Sequence, residues 1–281
     1  MQPQFEHAED RAEYRRPAHR AGVELYRASI LRHQFDTHSH EAYGLGVITA
    51  GVGRFRWRGG EHLAPRATLM LMNPEDLHTG RADRWESDGA WGYRMAYMDP
   101  ALLAEVSGEP AWLFDAAVAG DARASAEVAA LIAALWWHAE EPLAFDSALL
   151  QLVQALRRHA RVPLEACEPG TKRFAPVLDF MRAQLGQTLT LEQLAAVAGL
   201  SPFHFLRSFK AQQHATPQQA LMALRLAEAK RRLAAGEAPA QVAAAVGLAD
   251  QAHLNRAFQR RYGVTPGRYQ QQVGTRRRAS P

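Results

Sequence analysis

The sequence predicts an α+β protein with several domains: an N-terminal β-barrel, a pair of helices, and a C-terminal domain made only of helices. Three observations support this fold class. First, 281 residues are about twice the usual length of one domain. Second, short strand-like runs from Tyr43 to Met98 give way to helical spacing after Val128, and a change of hydrophobic period marks a change of secondary structure. Third, the last third of the chain contains an internal repeat.

The composition excludes several classes of protein. An apolar share of 47% is enough for a buried core, so a wholly disordered chain is excluded. No run approaches the length of about 18 apolar residues that a transmembrane helix needs, and the N-terminal residues are charged, so neither a membrane span nor a secretory signal is expected. Cys167 is the single cysteine and can form neither an internal disulfide nor a thiolate zinc site. We therefore expect a cytoplasmic protein without a membrane partner.

Strand-like patterns occupy the region that we assign to the first domain, residues 21–120, after an N-terminal arm at 1–20. The run Arg54–Arg58 alternates polar and aromatic residues, as a half-buried strand does. Gly59-Gly60 follows directly and is expected to close a hairpin with a two-residue turn. Further short apolar runs are separated by turn-rich segments, and many short strands at this spacing predict a small antiparallel barrel or sandwich.

Two amphipathic helices are predicted at residues 121–161. Apolar residues from Val128 to Trp136 recur at i, i+3, i+4, i+7 and i+8, and a second stripe extends from Leu149 to Leu156; such stripes are the buried faces of helices. The pair either covers the barrel or forms the seam of a homodimer, and the sequence leaves both alternatives open. Residues 162–171 have two prolines and no periodicity, so we interpret them as a linker.

Charge is divided unequally along the chain. Residues 172–281 carry 16 Lys and Arg against 5 Asp and Glu, whereas residues 1–171 carry 17 against 24. A bias toward arginine explains the number of basic residues but not the scarcity of acidic ones in the C-terminal part. A basic domain on an acidic remainder indicates that the basic domain meets a polyanion, and double-stranded DNA is the expected partner.

The C-terminal part contains two copies of one pattern. His204–Lys210 (HFLRSFK) recurs 49 residues later as His253–Gln259 (HLNRAFQ), and each copy is followed at the same distance by Thr-Pro. Gly199 and Gly247 stand where a helix must turn sharply into the next one. A helix, a short glycine-containing turn and a second helix are typical of a helix-turn-helix unit. The alternative is a helical repeat that binds protein, but two copies are too few for a stacked solenoid.

The helix starts in this region also carry local signals. Thr190 with Gln193 is a capping box, and Ser201, Thr216 and Thr265 each precede a proline at the first helical position, which favours an N-cap. We therefore place a double helix-turn-helix domain at residues 172–272, with the second helix of each unit, its reading helix, in the DNA major groove. Residues 273–281 form a basic tail that we expect to be disordered.

These motifs resemble the DNA-binding domain of AraC/XylS-type transcription regulators over residues 173–272. The ending AFQRRYGVTPGRY at Ala257–Tyr269 is similar to that family's signature. The resemblance implies two helix-turn-helix subdomains joined by a long helix, which we expect at Gln218–Ala235. Two departures fall in the first subdomain: His214 occupies a region where the family usually has a glycine, and Leu206 is apolar where the reading position is more often polar.

Helical periodicity assigns outward faces to the two reading helices. Arg, Gln and Asn side chains pair with guanine and adenine edges in the major groove, while apolar side chains contact thymine methyl groups. The alternative for each polar residue is a solvated helix face, and a phosphate contact is the more frequent role where DNA is touched. The expected DNA-binding residues are Phe203, Leu206, Arg207, Lys210, Gln251, Asn255, Arg256 and Gln259.

The N-terminal part carries His38, His40 and His78, and the first two would face one way on a strand. With the strand pattern, this part is similar to the cupin-like effector domain that precedes the DNA-binding domain in many members of the family. Three histidines across a barrel are compatible with a metal site. The glutamate of the enzyme motif is missing after His40, so we expect no catalytic metal, no cofactor and no catalytic residue, and the sequence leaves open whether the three histidines bind an ion. Structural histidines are the alternative to a binding pocket. The expected lining residues of a small-molecule pocket are His38, His40, Tyr43, Trp57, His78 and Arg94, with Trp91 as a further candidate.

The sequence therefore predicts a transcription regulator, not an enzyme, with an N-terminal cupin-like β-barrel that binds an unidentified small-molecule effector. A homodimer is a candidate assembly, and RNA polymerase is a further partner if the protein is an activator. Two alternatives stay open at this point. One is a metal-dependent cupin enzyme with a DNA-binding appendage, and the other is an architectural DNA-binding protein that responds to no ligand.

Overall fold

The computed structural model describes residues 9–84, 89–162 and 174–274. The expected linker, apart from its first residue, and residues 275–281 of the expected tail lie outside this range. The strands are β1 (Arg11–Arg15), β2 (Val23–Ile30), β3 (Gln34–His38), β4 (Tyr43–Ala50), β5 (Val52–Trp57), β6 (Gly60–Pro65), β7 (Leu69–Met72), β8 (His78–Ala82), β9 (Trp91–Met98) and β10 (Val118–Ala119). The helices are α1 (Pro100–Ser107), α2 (Ala122–Trp137), α3 (Pro142–Leu156), α4 (Ala175–Ala183), α5 (Leu191–Val197), α6 (Pro202–Gln213), α7 (Pro217–Ala234), α8 (Pro239–Ala245), α9 (Gln251–Tyr262) and α10 (Pro266–Val273).

The N-terminal strands form two antiparallel sheets. The six-stranded sheet has the order β1-β2-β9-β4-β7-β10, and the four-stranded sheet has the order β3-β8-β5-β6. β9 pairs with both β2 and β4, so that Met98 lies opposite Val23 on one side and Tyr43 on the other. The inner faces of the two sheets share one apolar core. The expected α+β fold with an N-terminal β-barrel is confirmed.

The hairpin between β5 and β6 closes one residue earlier than expected. Trp57 pairs with Gly60, so the two turn residues are Arg58 and Gly59, with φ angles of 47° and 81°. Two consecutive positive φ angles define the type I′ turn, which matches the twist of a two-residue hairpin. Gly60 is thus the first residue of β6 and not part of the turn.

The helical pair covers the outer face of the six-stranded sheet. Residues of β9 alternate between the two faces, with Tyr93 and Met95 in the barrel core and Ala96 and Met98 in the core beneath the helices. The expected apolar stripes of α2 and α3 lie in that second core. Other apolar side chains of α2 and α3, among them Trp137 and Leu143, stay exposed.

Residues 11–15, which the sequence places in the N-terminal arm, form an edge strand of the barrel. All five residues of β1 pair with β2, with Tyr14 opposite Tyr26. Alternate residues of β1 are buried, and Tyr14 enters the barrel core. The described part of the arm is therefore a component of the sheet.

The C-terminal residues form two helix-turn-helix units, α5–α6 and α8–α9, joined by α7. The capping box at Thr190 is present, and Thr216 forms a second one with Gln219. Gly199 and Gly247 have φ angles of 64° and 72°, a left-handed conformation that costs glycine little. His214 adopts the same region at the end of α6, with φ of 53°. The expected connecting helix is α7, displaced by one residue from the expected bounds.

The two units have different cores. The first unit packs around phenylalanines of α6 and the residue before α4 in a core of its own. The second unit, together with one face of α7, continues the core of the barrel. The C-terminal domain is thus docked onto the barrel through its second unit. None of the helices in the described ranges combines the length and the apolarity that a bilayer-spanning segment requires.

Candidate DNA-binding surface and interdomain site

The first reading helix, α6, presents the outward face that the periodicity predicts. Phe205 and Phe209 are fully buried in the core of the first unit. On the opposite side, Phe203 is 75% exposed and Leu206 is 37% exposed, and Arg207 and Lys210 are exposed as well. An exposed aromatic side chain beside two cations is unusual on a solvated surface and is compatible with a nucleic-acid surface.

The second reading helix, α9, is amphipathic in the expected sense. Leu254 and Phe258 are buried, and Gln251 and Arg256 are exposed, while Asn255 and Gln259 are partly exposed. Asp250 caps the helix, since its carboxylate accepts a hydrogen bond from the backbone N–H of His253 at 2.6 Å. Gln251 and Arg256 therefore extend from a helix whose start is fixed.

The C-terminal half of α9 lies against the barrel. Arg256, Gln259 and Arg260 line one wall of a groove of about 330 Å³ whose other wall is the segment Arg32–Gln34 with Asp36. The Nε2 atom of His33 lies 3.1 Å from the carbonyl oxygen of Arg260, to which it donates. The outward face of the second reading helix is thus flanked by the barrel.

A buried carboxylate links the two domains. Glu24, on β2, is 5% exposed and accepts hydrogen bonds from three donors. Arg16 Nε lies at 2.8 Å and the Tyr269 hydroxyl at 2.7 Å, and Lys230 Nζ also forms an ion pair with it. Tyr269 and Lys230 belong to α10 and α7, so one side chain of the barrel holds two helices of the DNA-binding domain.

Tyrosine rings surround Lys230. Its Nζ atom lies 4.8 Å from the ring centre of Tyr14, 5.5 Å from that of Tyr97, 4.9 Å from that of Tyr262 and 5.4 Å from that of Tyr269. The faces of aromatic rings attract cations, most strongly where water is excluded. The cation is therefore held by rings from both domains in addition to its carboxylate partner.

The electrostatics of this link favour a charged Glu24. Burial by itself raises the pKa of the Glu24 carboxyl, but the charges of Lys230 and Arg16 and the hydrogen bonds from Lys230 and Tyr269 outweigh it and hold that pKa below its ordinary value. A carboxylate that accepts hydrogen bonds from cations is stabilised in its ionised form. The carboxylate of Glu24 is hence ionised at neutral pH.

Backbone contacts reinforce the docking. The Tyr14 hydroxyl donates to the carbonyl oxygen of Tyr262 at 3.1 Å, and the Tyr14 backbone N–H donates to the Gln272 side chain at 3.1 Å. Arg261, a buried residue of α9, donates to the carbonyl oxygens of Ala223 and Ser39. Arg261 thereby ties the reading helix both to α7 and to the loop that follows β3.

A cavity of about 340 Å³ lies between the domains, at the mouth of the barrel. The volume is within the range of small-molecule sites, roughly 300–1,000 Å³. The barrel interior, by contrast, is filled by buried aromatic and methionine side chains. Residues that line the cavity include Arg16, Glu24, His40, Tyr97, Ala227 and Lys230.

The three expected histidines converge beside this cavity. Their ring centres are separated by 4.2 Å (His38 to His78), 5.1 Å (His38 to His40) and 5.3 Å (His40 to His78). His38 pairs with His78 across the β3–β8 ladder. His40 lies two residues after His38 in the chain. Each offers a ring nitrogen within 4.8 Å of those of the other two.

The three imidazoles are neutral at physiological pH. Burial, which opposes the charged form, lowers the pKa of His78 to about 4. Burial and then the charge of neighbouring imidazoles hold the pKa of His38 and His40 well below the usual value, and the nearby Arg261 acts in the same direction. The cluster therefore presents uncharged nitrogen donors.

Two of the remaining expected pocket residues do lie in the barrel core. Trp57 donates from Nε1 to Asp76 at 2.9 Å and lies opposite His78 in the β5–β8 ladder. Trp91 stacks on Tyr93 with ring centres 4.3 Å apart. Neither lines the interdomain cavity, and both are packing residues of the barrel core.

Tyr43 and Arg94 lie on the other face of the sheet, and their expected place in the pocket needs correction. Tyr43 is part of the core under the helices, and its hydroxyl donates to the carbonyl oxygen of Trp112 at 2.8 Å. Arg94 lines a small pocket with Trp136 of α2. Successive side chains of a strand point to opposite faces of the sheet. The sequence alone did not show which alternate residues of β4 and β9 face the barrel interior.

Sequence reasoning missed the residues that join the domains, above all Glu24, Lys230 and Arg261. Each looks like a surface charge when read alone. The one signal in the sequence was the set of tyrosines. Six of the seven surround this junction, in the barrel or on the facing helices. They are Tyr14, Tyr26, Tyr93, Tyr97, Tyr262 and Tyr269.

A β-barrel with a docked double helix-turn-helix domain and a cavity between the two defines a ligand-binding DNA-binding regulator. Comparison with known proteins agrees. Residues 20–156 match the AraC-like ligand binding domain, and residues 194–272 match a helix-turn-helix domain. The chain belongs to the AraC family of transcription regulators, so the family resemblance and the regulator class predicted from the sequence are confirmed. The enzyme alternative is not supported, because the two matched domains are those of a regulator.

Individual proteins extend the comparison. The uncharacterized HTH-type transcriptional regulator YbfI of Bacillus subtilis is 26% identical over 242 residues, which cover 83% of this chain and 86% of that protein. The fold is similar to that of ToxT from Vibrio cholerae. A lysine-to-alanine variant of apo ToxT superposes with a TM-score of 0.59 at 7% identity, covering 90% of this chain and 98% of that one. Wild-type ToxT with a bound unsaturated fatty acid superposes with a TM-score of 0.56 at 7% identity, and the match covers 98% of each chain.

Proposed function

We propose that this regulator reads DNA with both α6 and α9 and that a small molecule in the interdomain cavity controls how α9 is presented. The observation that supports the proposal is the position of α9, whose outward residues Arg256 and Gln259 lie in a groove against the barrel. A ligand at the domain junction has a direct route to this helix. It acts by its differential affinity for the docked and undocked arrangements, since a ligand with equal affinity for both shifts neither.

Base and phosphate contacts are assigned to the outward side chains of the two reading helices. Arg207 and Arg256 occupy equivalent positions in the two copies of the repeat and are both exposed, so we propose them as the strongest DNA contacts. Lys210, Gln251, Asn255 and Gln259 extend the two surfaces. Phe203 and Leu206 donate no hydrogen bond and fit an apolar contact with thymine methyl groups or sugars.

The effector class is inferred from the lining of the cavity. Its walls carry cationic groups, among them Arg16 and Lys230, as well as carboxylates, and the ring of Tyr97. The ToxT structure named above holds an unsaturated fatty acid, and an anionic group with an apolar part would also suit this lining. Such a ligand competes with Glu24 for Lys230 and so weakens the link between the domains.

We also propose that the helical pair supports a homodimer. Trp137 is 68% exposed, Leu143 83% and Leu150 44%, and these apolar side chains lie on α2 and α3. If the DNA site adjoins a promoter, RNA polymerase is the further partner of an activator. Sedimentation equilibrium of the full chain and of Trp137→Glu tests the dimer: a dimeric wild type that becomes monomeric in the variant supports it, and a monomeric wild type refutes it.

The DNA contacts are tested with the full-length protein on duplexes selected from a random library. Arg256→Ala and Arg207→Ala are each expected to weaken binding to the best site by about 1–3 kcal/mol, with relaxed preference at one base where guanine is contacted. Arg66→Ala is the matched control, because Arg66 is an exposed arginine of the barrel and its loss changes the net charge equally. A selection without sequence enrichment, or equal losses in all three variants, would contradict the proposal.

The effector site is tested with a substitution that fills the cavity. Ala227 of α7 lines it, so Ala227→Trp should abolish the response to ligand in a reporter strain while the purified variant still binds the selected duplex. Ala133→Trp, on the pocket between α2 and the barrel, is the control and should keep the response. A normal ligand response in Ala227→Trp would exclude this cavity as the effector site.

A further inference from the structure

The cluster of His38, His40 and His78 has the arrangement of a metal-ion site. Three imidazoles from β3, the following loop and β8 meet with ring nitrogens within 4.8 Å of one another. His38 is 6% exposed and His78 is 7% exposed. Placing three polar rings together in a largely apolar barrel is unfavourable unless their nitrogens find partners.

The hydrogen bonds of His38 and His78 leave the Nε2 atom of each ring available as a ligand for an ion. His38 Nδ1 lies 2.7 Å from the carbonyl oxygen of Asp36, and His78 Nδ1 lies 2.9 Å from that of Asp76. Because a carbonyl oxygen only accepts, each Nδ1 carries the hydrogen and each Nε2 carries a lone pair. Histidines that bind metals are oriented in this way, by donating the other ring N–H to a backbone carbonyl or carboxylate.

We propose that His38, His40 and His78 bind one divalent first-row transition-metal ion, with zinc as the ion of choice, through their imidazole nitrogens. Nitrogen donors favour zinc, copper, nickel, cobalt or iron, whereas magnesium and calcium take oxygen donors. Among the described residues no carboxylate or thiol joins the three histidines. Three histidines leave a fourth coordination position for water or another ligand, as in open zinc sites.

The site has an entry path and a neighbour that sets its affinity. His40 lines the interdomain cavity, so an ion reaches the cluster from solvent through that cavity. Arg261, which donates to the backbone of Ser39 between the first two histidines, places a positive charge nearby. This charge opposes binding and predicts an affinity below that of closed structural zinc sites.

The proposal is independent of the effector mechanism, because zinc binding is measured on the free protein without DNA. Untagged full-length protein, freed of metal with a chelator, is titrated with Zn²⁺ by calorimetry. We expect one ion per chain. His38→Gln, His40→Gln and His78→Gln should each weaken Zn²⁺ binding by at least about tenfold, since a lost ligand costs no less than a lost supporting residue. His62→Gln is the matched control, because His62 is partly buried in the same barrel against Phe55 but is not in the cluster.

A measurement on the wild type tests the site even if the cluster variants do not fold. X-ray absorption at the zinc edge should show the scattering pattern of three imidazoles, with nitrogen at about 2.0–2.1 Å. Three imidazole ligands together with the loss of affinity in the cluster variants support the site. The proposal is overturned if the wild type binds no Zn²⁺, if fewer than three imidazoles are found, or if His62→Gln loses as much affinity as the folded cluster variants.

Discussion

Glu24→Gln is the substitution that most directly tests how the two domains are held together. The variant keeps the size of the side chain and an oxygen that accepts from Tyr269, but it removes the negative charge beside Lys230. Glu24 is buried, and removing one partner of a buried ion pair costs roughly 3–5 kcal/mol, because the other charge stays buried without compensation. The tyrosine rings around Lys230 offset part of this cost, so we expect a value near the lower end.

The cost falls on docking and not on either domain alone, since Glu24 lies in the barrel and Lys230 in α7. At about 1.36 kcal/mol per tenfold change, a loss of about 3 kcal/mol lowers the docking equilibrium constant by about a hundredfold. The backbone N–H of Tyr14 is a suitable reporter, because its hydrogen bond goes to Gln272 of the other domain. Its hydrogen exchange, followed by mass spectrometry or NMR, should accelerate by a similar factor.

Two further variants make the result specific. Glu13→Gln removes the partner of Arg27 on neighbouring strands, a pair in which both side chains are about two-fifths exposed, and exposed pairs contribute only about 0–1 kcal/mol. Glu24→Gln combined with Lys230→Met replaces the ion pair by uncharged groups and should restore much of the docking. The reasoning is refuted if Glu24→Gln and Glu13→Gln exchange Tyr14 at equal rates, or if the double variant is worse than the single one.

Three other predictions concern DNA geometry, turn chemistry and pH. If α6 and α9 read DNA together, one site contains two contacted segments, and inserting about 5 bp between them turns them to opposite faces of the duplex. Binding in a gel-shift assay should then fall sharply; unchanged affinity would mean that the two units do not read DNA together. Gly247→Ala should lower the thermal stability more than Gly199→Ala, although both positions have positive φ. A Cβ at Gly247 would lie 2.6 Å from the carbonyl oxygen of Leu185, while nothing lies within 4 Å of a Cβ at Gly199. Equal melting temperatures of the two variants would argue against this packing. The pKa of Glu24 is lower in the docked protein than its ordinary value of 4.5. Its contribution to docking is therefore present above that pH and is lost as the pH falls through the lowered pKa. Hydrogen exchange at Tyr14, corrected for its intrinsic pH dependence, should rise in acid in the wild type, and Glu24→Gln should lose this extra rise.

The sequence by itself determined the features that depend on neighbours along the chain. The capping residues Thr190 and Thr216 satisfy backbone N–H groups three residues away, and Gly199 and Gly247 form turns within a few residues. The outward positions of Arg207 and Arg256 follow from a period of 3.6 residues. Local interactions of this kind act the same in any surrounding structure, so the helix-turn-helix units and their candidate reading residues could be predicted.

The tertiary structure alone decided how the two domains meet and where the cavity lies. His38, His40 and His78 were recognisable as a set, but the strand parity that sends Tyr43 and Arg94 to the opposite face is fixed by the pairing of β4 and β9. Glu24 and Lys230 are 206 residues apart. No local pattern distinguishes a charge that is buried against a distant partner from one that is solvated, because the free energy of that pairing comes from the desolvation and the partner that docking supplies.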